Sequence, residues 1–271
     1  MNILPLCDTL LNRRICKIGA AILLTAGMLH AAPSQADAID NISKNGKVRI
    51  GVFMDYPPFG SIGPDMKPLG YDIDMAELIG KALKTKVELI QVTGDNRMAY
   101  LAGGKVDLLL SVGQTPERAK VIDFTDAYAP YYLAVFGGPK MTVKNNADLA
   151  GKSISVARGT LEDLSISKVA PSEATIKRFD DPNGAISAFL SGQTQLMVVG
   201  NDVGATIMAK NPAAGIQQKF QLFSSPDHVG LNKNEPRLTQ QINQAIVQAK
   251  KDGSLNKISQ KWLRVPLPAD L

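Results

Sequence analysis

Cysteine and histidine are scarce in this sequence, with two residues of each in 271. Both cysteines, Cys7 and Cys16, lie near the N-terminus, and His228 is the one histidine beyond residue 36. The rest of the chain therefore offers no thiolate for a disulfide, a zinc site or a cysteine nucleophile. A metal site that depends on paired histidines is disfavoured for the same reason, and we expect neither a metal nor another cofactor.

Long apolar runs and clusters of basic residues are also absent. A membrane-spanning helix needs about 20 consecutive apolar residues, and the most apolar segment, residues 18–29, is too short. The formal net charge of +5 at pH 7 is mild, and beyond residue 36 no run of lysine or arginine concentrates it. Nucleic-acid binding therefore lacks its usual electrostatic signature, and we expect no nucleic-acid partner.

The N-terminal segment 1–36 has the order of a secretory signal peptide. A basic stretch at 13–17 precedes the apolar segment, and Ser34-Gln35-Ala36 supplies the small-x-small pattern of a cleavage site. We therefore predict cleavage near Ala36 and export across the cytoplasmic membrane into the periplasm. A retained membrane anchor is the alternative, which the short apolar segment disfavours. Two adjacent arginines leave the choice between the general and the twin-arginine export route open.

Beyond residue 36, short apolar runs alternate with segments of helical spacing. Runs typical of β-strands cover residues 48–53, 87–92, 106–110, 153–157, 175–179 and 196–199. Helix signals occur at 73–83 behind Asp72 or Asp74 as N-cap, at 98–101, after Gly159-Thr160, from Pro182, at 238–246 and at 255–262. Strands that alternate with helices predict parallel sheets in an α/β fold, and two such sets predict two lobes.

Short motifs along the same part of the chain resemble those of one known family. They are YPPF (56–59), GYDID (70–74), NR (96–97), GKVDL (104–108), TPERAK (115–120), IDFTDAY (122–128), DLAGK (148–152), GT (159–160), DGSL (252–255) and KW (261–262). In order and spacing the chain resembles the periplasmic solute-binding proteins of polar amino-acid ABC importers. The resemblance covers essentially all of the sequence beyond residue 36.

This resemblance implies the two-lobed periplasmic-binding, or Venus-flytrap, fold, in which each lobe is a mostly parallel sheet flanked by helices. Residues 37–137 would form the first part of lobe 1, 138–225 lobe 2, and 226–271 the return to lobe 1 with the C-terminal helices. The chain would cross between the lobes near 135–139 and near 223–229, and this hinge would close the cleft on a ligand. The implied function is that of a monomeric subunit that captures a polar amino acid and delivers it to an inner-membrane permease.

The α-carboxylate of such a ligand has candidate partners in both lobes. By resemblance, Arg118 matches the carboxylate-binding arginine of the family, and a guanidinium can form a bidentate pair with this group. Ser111 matches a position whose hydroxyl and backbone hold the same carboxylate. Thr160 begins a helix of lobe 2, where backbone amides bind anions well. The alternatives are a surface arginine, an ordinary serine at the end of a strand and simple N-capping by Thr160.

The ligand's side chain has three candidate contacts. Tyr56 would form an aromatic wall with Phe53 nearby, and loop packing beside two prolines is the alternative. Relatives that prefer acidic amino acids use an arginine in the Asn-Arg context of Arg97. Phe53, however, stands where those relatives carry a further basic residue. The resemblance therefore favours a polar amino acid and leaves an acidic one open.

The site for the α-ammonium departs from the family pattern. The family places an aspartate just after the last predicted strand of lobe 2, where this sequence has Gly200, Asn201 and Asp202. Asn201 or Asp202 is the candidate, and a ligand without a free ammonium is the alternative. We expect the nearby acidic residues Glu162 and Asp163 to stabilise the first turn of their own helix rather than to bind ligand.

Two other classes of function remain open from the sequence. Some relatives are dehydratases of cyclohexadienyl acids, whose chemistry needs a carboxylic acid in the cleft, and Asp95, Glu162, Asp163 and Asp202 are candidates for it. A binding protein for a non-amino organic acid, or a sensor, would use the same fold without transporting an amino acid. Because fold similarity alone does not imply catalysis, we expect a protein that is not an enzyme.

Overall fold

The computed structural model of this protein describes residues 38–271, so the predicted signal peptide and its cleavage site near Ala36 lie outside the described residues. The β-strands are β1 (Lys47–Val52), β2 (Asp55–Tyr56), β3 (Gly60–Ile62), β4 (Pro68–Leu69), β5 (Lys86–Gln91), β6 (Leu108–Gly113), β7 (Ile122–Ala129), β8 (Tyr132–Gly137), β9 (Ser153–Ala157), β10 (Thr175–Phe179), β11 (Leu196–Gly200), β12 (Gln217–Ser224) and β13 (Asp227–Asn232). The α-helices are α1 (Ala38–Asn45), α2 (Tyr71–Ala82), α3 (Arg97–Ala102), α4 (Pro116–Ala119), α5 (Leu161–Val169), α6 (Pro182–Leu190), α7 (Asn201–Lys210), α8 (Pro236–Lys251) and α9 (Ser254–Trp262).

The first large sheet has the strand order β5-β1-β6-β13-β7. Strand β1 pairs in parallel with β5 and β6, whereas β13 runs antiparallel to β6 and β7. Val48, Ile50 and Val52 of β1 are fully buried because alternate side chains of a strand point to the same face. The predicted parallel strands therefore form one side of a mixed sheet.

The second large sheet has the order β10-β9-β11-β8-β12 and repeats this plan. Strand β9 pairs in parallel with β10 and β11, and β8 runs antiparallel to β11 and β12. Strands β9 and β10 have the bounds that the sequence predicts. Strands β2, β3 and β4 form a small antiparallel sheet around the YPPF motif. The two large sheets are the cores of the two lobes.

The chain passes between the large sheets twice, through two short connections. The first crossing is at residues 130–131, earlier than the predicted 135–139, because the apolar run Tyr132–Gly137 forms an interior strand of the second sheet. The return is at residues 225–226, between β12 and β13, where we predicted a crossing within 223–229. A pair of short connections between lobes is the geometry of a hinge.

The C-terminal helices pack on the first lobe. Helix α8 contacts α2, α9 and β7, and it buries Leu238, Ile242 and Ile246, whose spacing of four residues places them on one face. The sequence predicts this helix from the same three residues. Among residues 38–271, no helix combines the length and the apolar character that a membrane crossing requires.

The start of α2 differs from the prediction of Asp72 or Asp74 as N-cap. Gly70 occupies the cap position with a φ of 144°, and no side chain caps the helix. Asp74 Oδ2 instead accepts a hydrogen bond from Trp262 Nε1 at 2.7 Å, and Asp72 is buried. Both carboxylates lie in the first turn, where the helix dipole favours them, but each makes its contacts away from the helix end.

Candidate functional site

A cavity lies between the two large sheets, and both lobes contribute to its lining. The lining residues are Phe53, Tyr56, Arg97, Ser111, Gly113, Arg118 and Asp227 from the first lobe, Tyr131 from the first crossing, and Ala157, Thr160, Leu161, Glu162, Pro182, Ala185, Val198 and Val199 from the second lobe. The structure thus brings together six of the eight predicted site residues. The other two, Asn201 and Asp202, are not part of this lining.

Arg118 lies in the short helix α4 on the first-lobe side of the cavity. The Thr115 side chain caps this helix by accepting from Arg118 N at 3.2 Å. The guanidinium is buried and donates from Nη1 to Gly113 O at 3.0 Å, a bond that occupies one of its five N–H donors. Burial lowers the pKa of Arg118, and the charges of Glu162 and Asp227 act in the opposite direction. Arg118 is therefore a buried cation, held in place, at the wall of the cavity.

Ser111 lies on the same wall in a left-handed conformation, with φ of 50°. Its backbone N donates to Tyr128 Oη at 2.7 Å, and its hydroxyl donates to Asp72 Oδ2 at 2.6 Å. Burial raises the pKa of Asp72 to about 6, and the hydrogen bonds from Ser111 and Tyr128 oppose this effect. Strained backbone of this kind persists where the surroundings over-determine it. The hydroxyl proton that the resemblance assigned to a ligand carboxylate is thus donated to Asp72.

Arg97 lies at the start of α3, with its guanidinium carbon 4.9 Å from the centre of the Phe53 ring. Its Nη2 donates to Leu110 O at 2.6 Å and to Ser111 O at 3.0 Å. Among residues 38–271, its buried Nε has no hydrogen-bond partner. Burial, together with the charge of Arg118, lowers the pKa of Arg97 to about 10. Arg97 and Phe53 thus lie against each other in the first-lobe wall of the cavity.

The N-terminus of α5 forms the second-lobe wall. Thr160 is its N-cap: Oγ1 accepts from Asp163 N at 3.4 Å and donates to Ala157 O at 2.8 Å. Asp163 Oδ2 accepts from Gly159 N at 3.1 Å, and this carboxylate supports the first turn as we expected. Glu162 differs from that expectation, because it lines the cavity.

Glu162 is the centre of a cluster that joins the two lobes. Its Oε1 accepts from Tyr56 Oη at 2.8 Å and from Tyr131 Oη at 2.6 Å, and the two hydroxyl oxygens are 2.9 Å apart. Tyr56 Oη also accepts from Gly200 N at 2.9 Å. Tyr56 belongs to the first lobe, whereas Glu162 and Gly200 belong to the second. These hydrogen bonds therefore hold the lobes closed over the cavity.

The position at which the family carries its ammonium-binding aspartate is filled in a different way. A Cβ at Gly200 would lie 2.2 Å from Tyr131 Cε2, so the tyrosine ring occupies the space that a side chain there would need. Asn201 Oδ1 accepts at 3.1 Å from the backbone N of Tyr132, the first residue of β8. Asp202 Oδ2 is buried without a hydrogen-bond partner in the described part of the chain.

Asp227, like Tyr131, is a site residue that sequence reasoning missed. It opens β13 directly after the return crossing, it is 2% exposed, and it lines the cavity. Its Oδ2 has no hydrogen-bond partner among residues 38–271. Burial raises the pKa of Asp227 well above its ordinary value; Asp72 acts in the same direction, and Arg97 opposes it. The available signal was the position of this carboxylate within the predicted return crossing at 223–229.

Asp202→Asn should flatten the pH dependence of stability without changing ligand affinity. Burial raises the pKa of Asp202 to about 6, whereas an aspartate of an unfolded chain titrates near 3.9. The protonated carboxyl therefore stabilises the folded protein fully below about pH 4, and this contribution is lost as the pH rises through 6. In the unchanged protein, Asp202 should lower the unfolding free energy by about 2 to 3 kcal/mol between pH 4 and pH 7. We expect this decrease to be absent from the variant. Urea titrations at both pH values measure this, and a large loss of affinity would instead support the predicted ammonium role.

The fold and the cavity define a class of protein. Two α/β lobes joined by two short crossings, with opposed charges on the walls between them, are the plan of a clamp for a small polar ligand. Residues 48–265 match the family described as bacterial extracellular solute-binding proteins, family 3. The chain belongs to this family.

Individual relatives agree with this assignment. The chain is 30% identical over 223 residues to the ABC transporter arginine-binding protein 1 of Escherichia coli (strain K12), covering 80% of this chain and 90% of that protein. The solved structure of an ancestral arginine-binding protein bound to arginine is 32% identical with a TM-score of 0.76, covering 80% of this chain and 98% of the other. An ancestral amino acid-binding protein, a precursor of cyclohexadienyl dehydratase, is 29% identical with a TM-score of 0.77, covering 84% and 100%.

These comparisons confirm two predictions from the sequence. The resemblance to solute-binding proteins of amino-acid importers is confirmed by the family and by the relatives. The two-lobed α/β fold is confirmed by the solved structures. The expectation that each sheet is mostly parallel is wrong, because each large sheet has two parallel and two antiparallel pairings. The family is described as extracellular, which is the location that an exported protein would have.

Proposed function

We propose that this protein captures a polar amino acid between its lobes and delivers it to an inner-membrane ABC permease. The observation that carries the proposal is the pair of opposite charges in one cavity: the Arg118 guanidinium on the first lobe and the Glu162 carboxylate on the second. An α-amino acid is a zwitterion, so it needs both a cationic and an anionic partner. The family membership and the arginine-binding relatives support the same class of ligand.

In this proposal, the α-carboxylate binds Arg118 and the N-terminus of α5. The guanidinium supplies parallel N–H donors, and the helix terminus supplies backbone amides around Thr160 with the positive end of the helix dipole. The two sources lie on opposite walls of the cavity. The carboxylate therefore links the lobes directly, and binding favours the closed state.

The α-ammonium binds Glu162 rather than a residue of the 200–202 segment. Tyr131 fills the space beside Gly200, and Asn201 and Asp202 are not in the lining. The two tyrosine hydroxyls occupy Glu162 Oε1, which leaves Oε2 as the acceptor for an N–H group. The departure from the family pattern at residue 200 is thus compensated by an acidic residue from another helix.

Calorimetric titration of the purified protein, freed of ligand by unfolding and refolding, tests this function. We expect tight binding of at least one polar amino acid and much weaker binding of the 2-hydroxy acid with the same side chain, because Glu162 then lacks an ammonium. An acidic amino acid belongs to the set that is tested. Binding of an organic acid without an amino group, and of no amino acid, would contradict the proposal. The fold would then serve a different carboxylate.

A dehydratase is the second candidate, and one observation favours it. Glu162 is a buried carboxyl group between two tyrosine hydroxyls, and one structural neighbour is a precursor of cyclohexadienyl dehydratase. A general acid in a cleft needs such surroundings. Incubation of the protein with a cyclohexadienyl acid separates the two functions: we expect no formation of an aromatic product, and turnover would identify an enzyme.

A further inference from the structure

The main chains of the two lobes meet at a pair of glycines outside the cavity lining. Gly94 follows β5 in the first lobe, and Gly159 follows β9 in the second. A Cβ at Gly94 would lie 2.2 Å from Arg158 O and 2.9 Å from Thr160 N. A Cβ at Gly159 would lie 2.7 Å from Asp95 Oδ1 and 2.9 Å from Gly94 C. Neither position has room for a side chain while the lobes are in this arrangement.

At Gly94, the opposite lobe alone accounts for the need for glycine. In the described part of the chain, the three atoms nearest to a Cβ at this position all belong to Arg158 and Thr160 of the second lobe. The φ of Gly94 lies outside the left-handed region, so its own backbone conformation accepts a larger residue. An alanine at position 94 would therefore clash with the second lobe, and separation of the lobes would relieve the clash.

Two ion pairs also join the lobes outside the cavity. Arg158 Nε lies 3.6 Å from Asp95 Oδ2, and these residues are the chain neighbours of the two glycines. Lys168 Nζ of α5 lies 3.0 Å from Glu117 Oε1 of α4. Each pair takes one member from each lobe, and none of the four residues is in the cavity lining. An exposed ion pair contributes little to stability, but a pair that bridges two lobes favours the arrangement in which they touch.

We propose that residues 94–95 and 158–159, with the Glu117–Lys168 pair, form a closure seam that sets the ligand affinity from outside the cavity. The inference rests on the proposed function, in which closure of the lobes captures the ligand. The apparent affinity of such a clamp is reduced by any cost of reaching the closed state. The glycines allow the main chains to approach, and the ion pairs favour the approach. Gly94 is thus a positioning residue that acts through the distance between the lobes.

Gly94→Ala should weaken binding by at least about tenfold, because overpacking of a tight contact carries a cost of that size. The probe is the compound that the unchanged protein binds most tightly among the twenty amino acids and their 2-hydroxy acid analogues, and calorimetric titration measures its affinity. Gly138→Ala is the control, since a Cβ there would have no atom of residues 38–271 within 4 Å beyond its chain neighbours. The control should bind as the unchanged protein does, and undiminished affinity in Gly94→Ala would overturn the seam.

Exchange of charges across the lobes tests the seam without a change at glycine. Glu117→Lys and Lys168→Glu should each weaken binding of the same probe by about two- to fivefold, the scale of an exposed ion pair. The double variant should recover the affinity, because the pair forms again with its charges exchanged. Exchange of Lys47 and Glu88, whose 2.7 Å ion pair lies within the first lobe, is the control and should have no effect. A double variant no tighter than the single variants would overturn the electrostatic contribution to the seam.

The distance between the lobes is the readout that a merely structural role would not change. Residues 37–271 form their own compact unit and contain no cysteine, so cysteines introduced at the exposed Lys44 and Lys140 carry one spin label on each lobe. With saturating probe, electron–electron resonance should give a shorter distance in the unchanged protein than in Gly94→Ala.

The outcomes separate the seam from the proposed function. Equal distances in the unchanged protein and in Gly94→Ala would overturn the seam and leave the capture of an amino acid intact. Binding of a 2-hydroxy acid and of no amino acid would overturn the proposed function, and the same variants would still decide the seam with that probe. If no compound of the panel shortened the distance in the unchanged protein, the seam would be overturned, since the lobes would not close on a ligand.

Discussion

Arg118→Ala should weaken ligand binding by at least about 100-fold. The guanidinium is buried at the cavity wall, and within residues 38–271 its one hydrogen bond is to Gly113 O. A ligand carboxylate would therefore be its principal partner. Removal of one member of a buried charge pair costs about 3 to 5 kcal/mol, and each 1.4 kcal/mol is about a factor of ten in affinity. Calorimetric titration with the best amino-acid ligand measures the change.

The stability of the ligand-free protein is the control for this variant. Burial already disfavours the charge of Arg118, so its removal relieves a desolvation cost while it loses the bond to Gly113. We therefore expect little change in the thermal unfolding midpoint without ligand. Arg118→Lys should retain an intermediate affinity, since lysine keeps the charge but not the bidentate geometry. Undiminished affinity in the alanine variant would show that the carboxylate binds elsewhere.

Strands with local signals were predictable, and strands that depend on distant partners were not. Strands β9 and β10 have the predicted bounds because each is a short run of β-formers flanked by turn residues. Strand β12, Gln217–Ser224, is largely exposed and reads as polar loop, yet it forms the edge of the second sheet by antiparallel pairing with β8. Local propensity in strands is weak compared with such pairing, so the edge strand became visible only in the fold.

The same distinction applies to the candidate site. The cap at Thr115 and the proline after it mark the start of the helix that carries Arg118, and these signals are contained in six consecutive residues of the TPERAK motif. Tyr131 and Asp227 sit at the two crossings between the sheets, so their burial depends on how the lobes close. No pattern in the neighbouring sequence encodes that closure. An acidic residue in the first turn of a helix ordinarily stabilises the helix, which is why Glu162 was assigned that role.

Glu162→Gln should separate recognition of the ammonium from closure of the lobes. Glutamine keeps an Oε1 that can accept from Tyr56 and Tyr131, as Glu162 does at 2.8 and 2.6 Å. It replaces Oε2 with an N–H₂ group, which repels an ammonium. We expect the affinity for the best amino acid to fall by at least about 100-fold, the loss expected for a broken buried charge pair. Calorimetric titration with that amino acid and with the corresponding 2-hydroxy acid measures the effect.

The 2-hydroxy acid is the informative half of that comparison. It presents a hydroxyl in place of the ammonium, so its affinity should change by less than about threefold in Glu162→Gln, because the neutral group loses no charge pair. Equal losses for both ligands would mean that Glu162 acts by holding the lobes together. Tyr56→Phe tests closure directly, since it removes the hydroxyl that bonds to Glu162 and to Gly200 N across the cleft. That variant should weaken both ligands by a similar factor, whereas Glu162→Gln should weaken the amino acid alone.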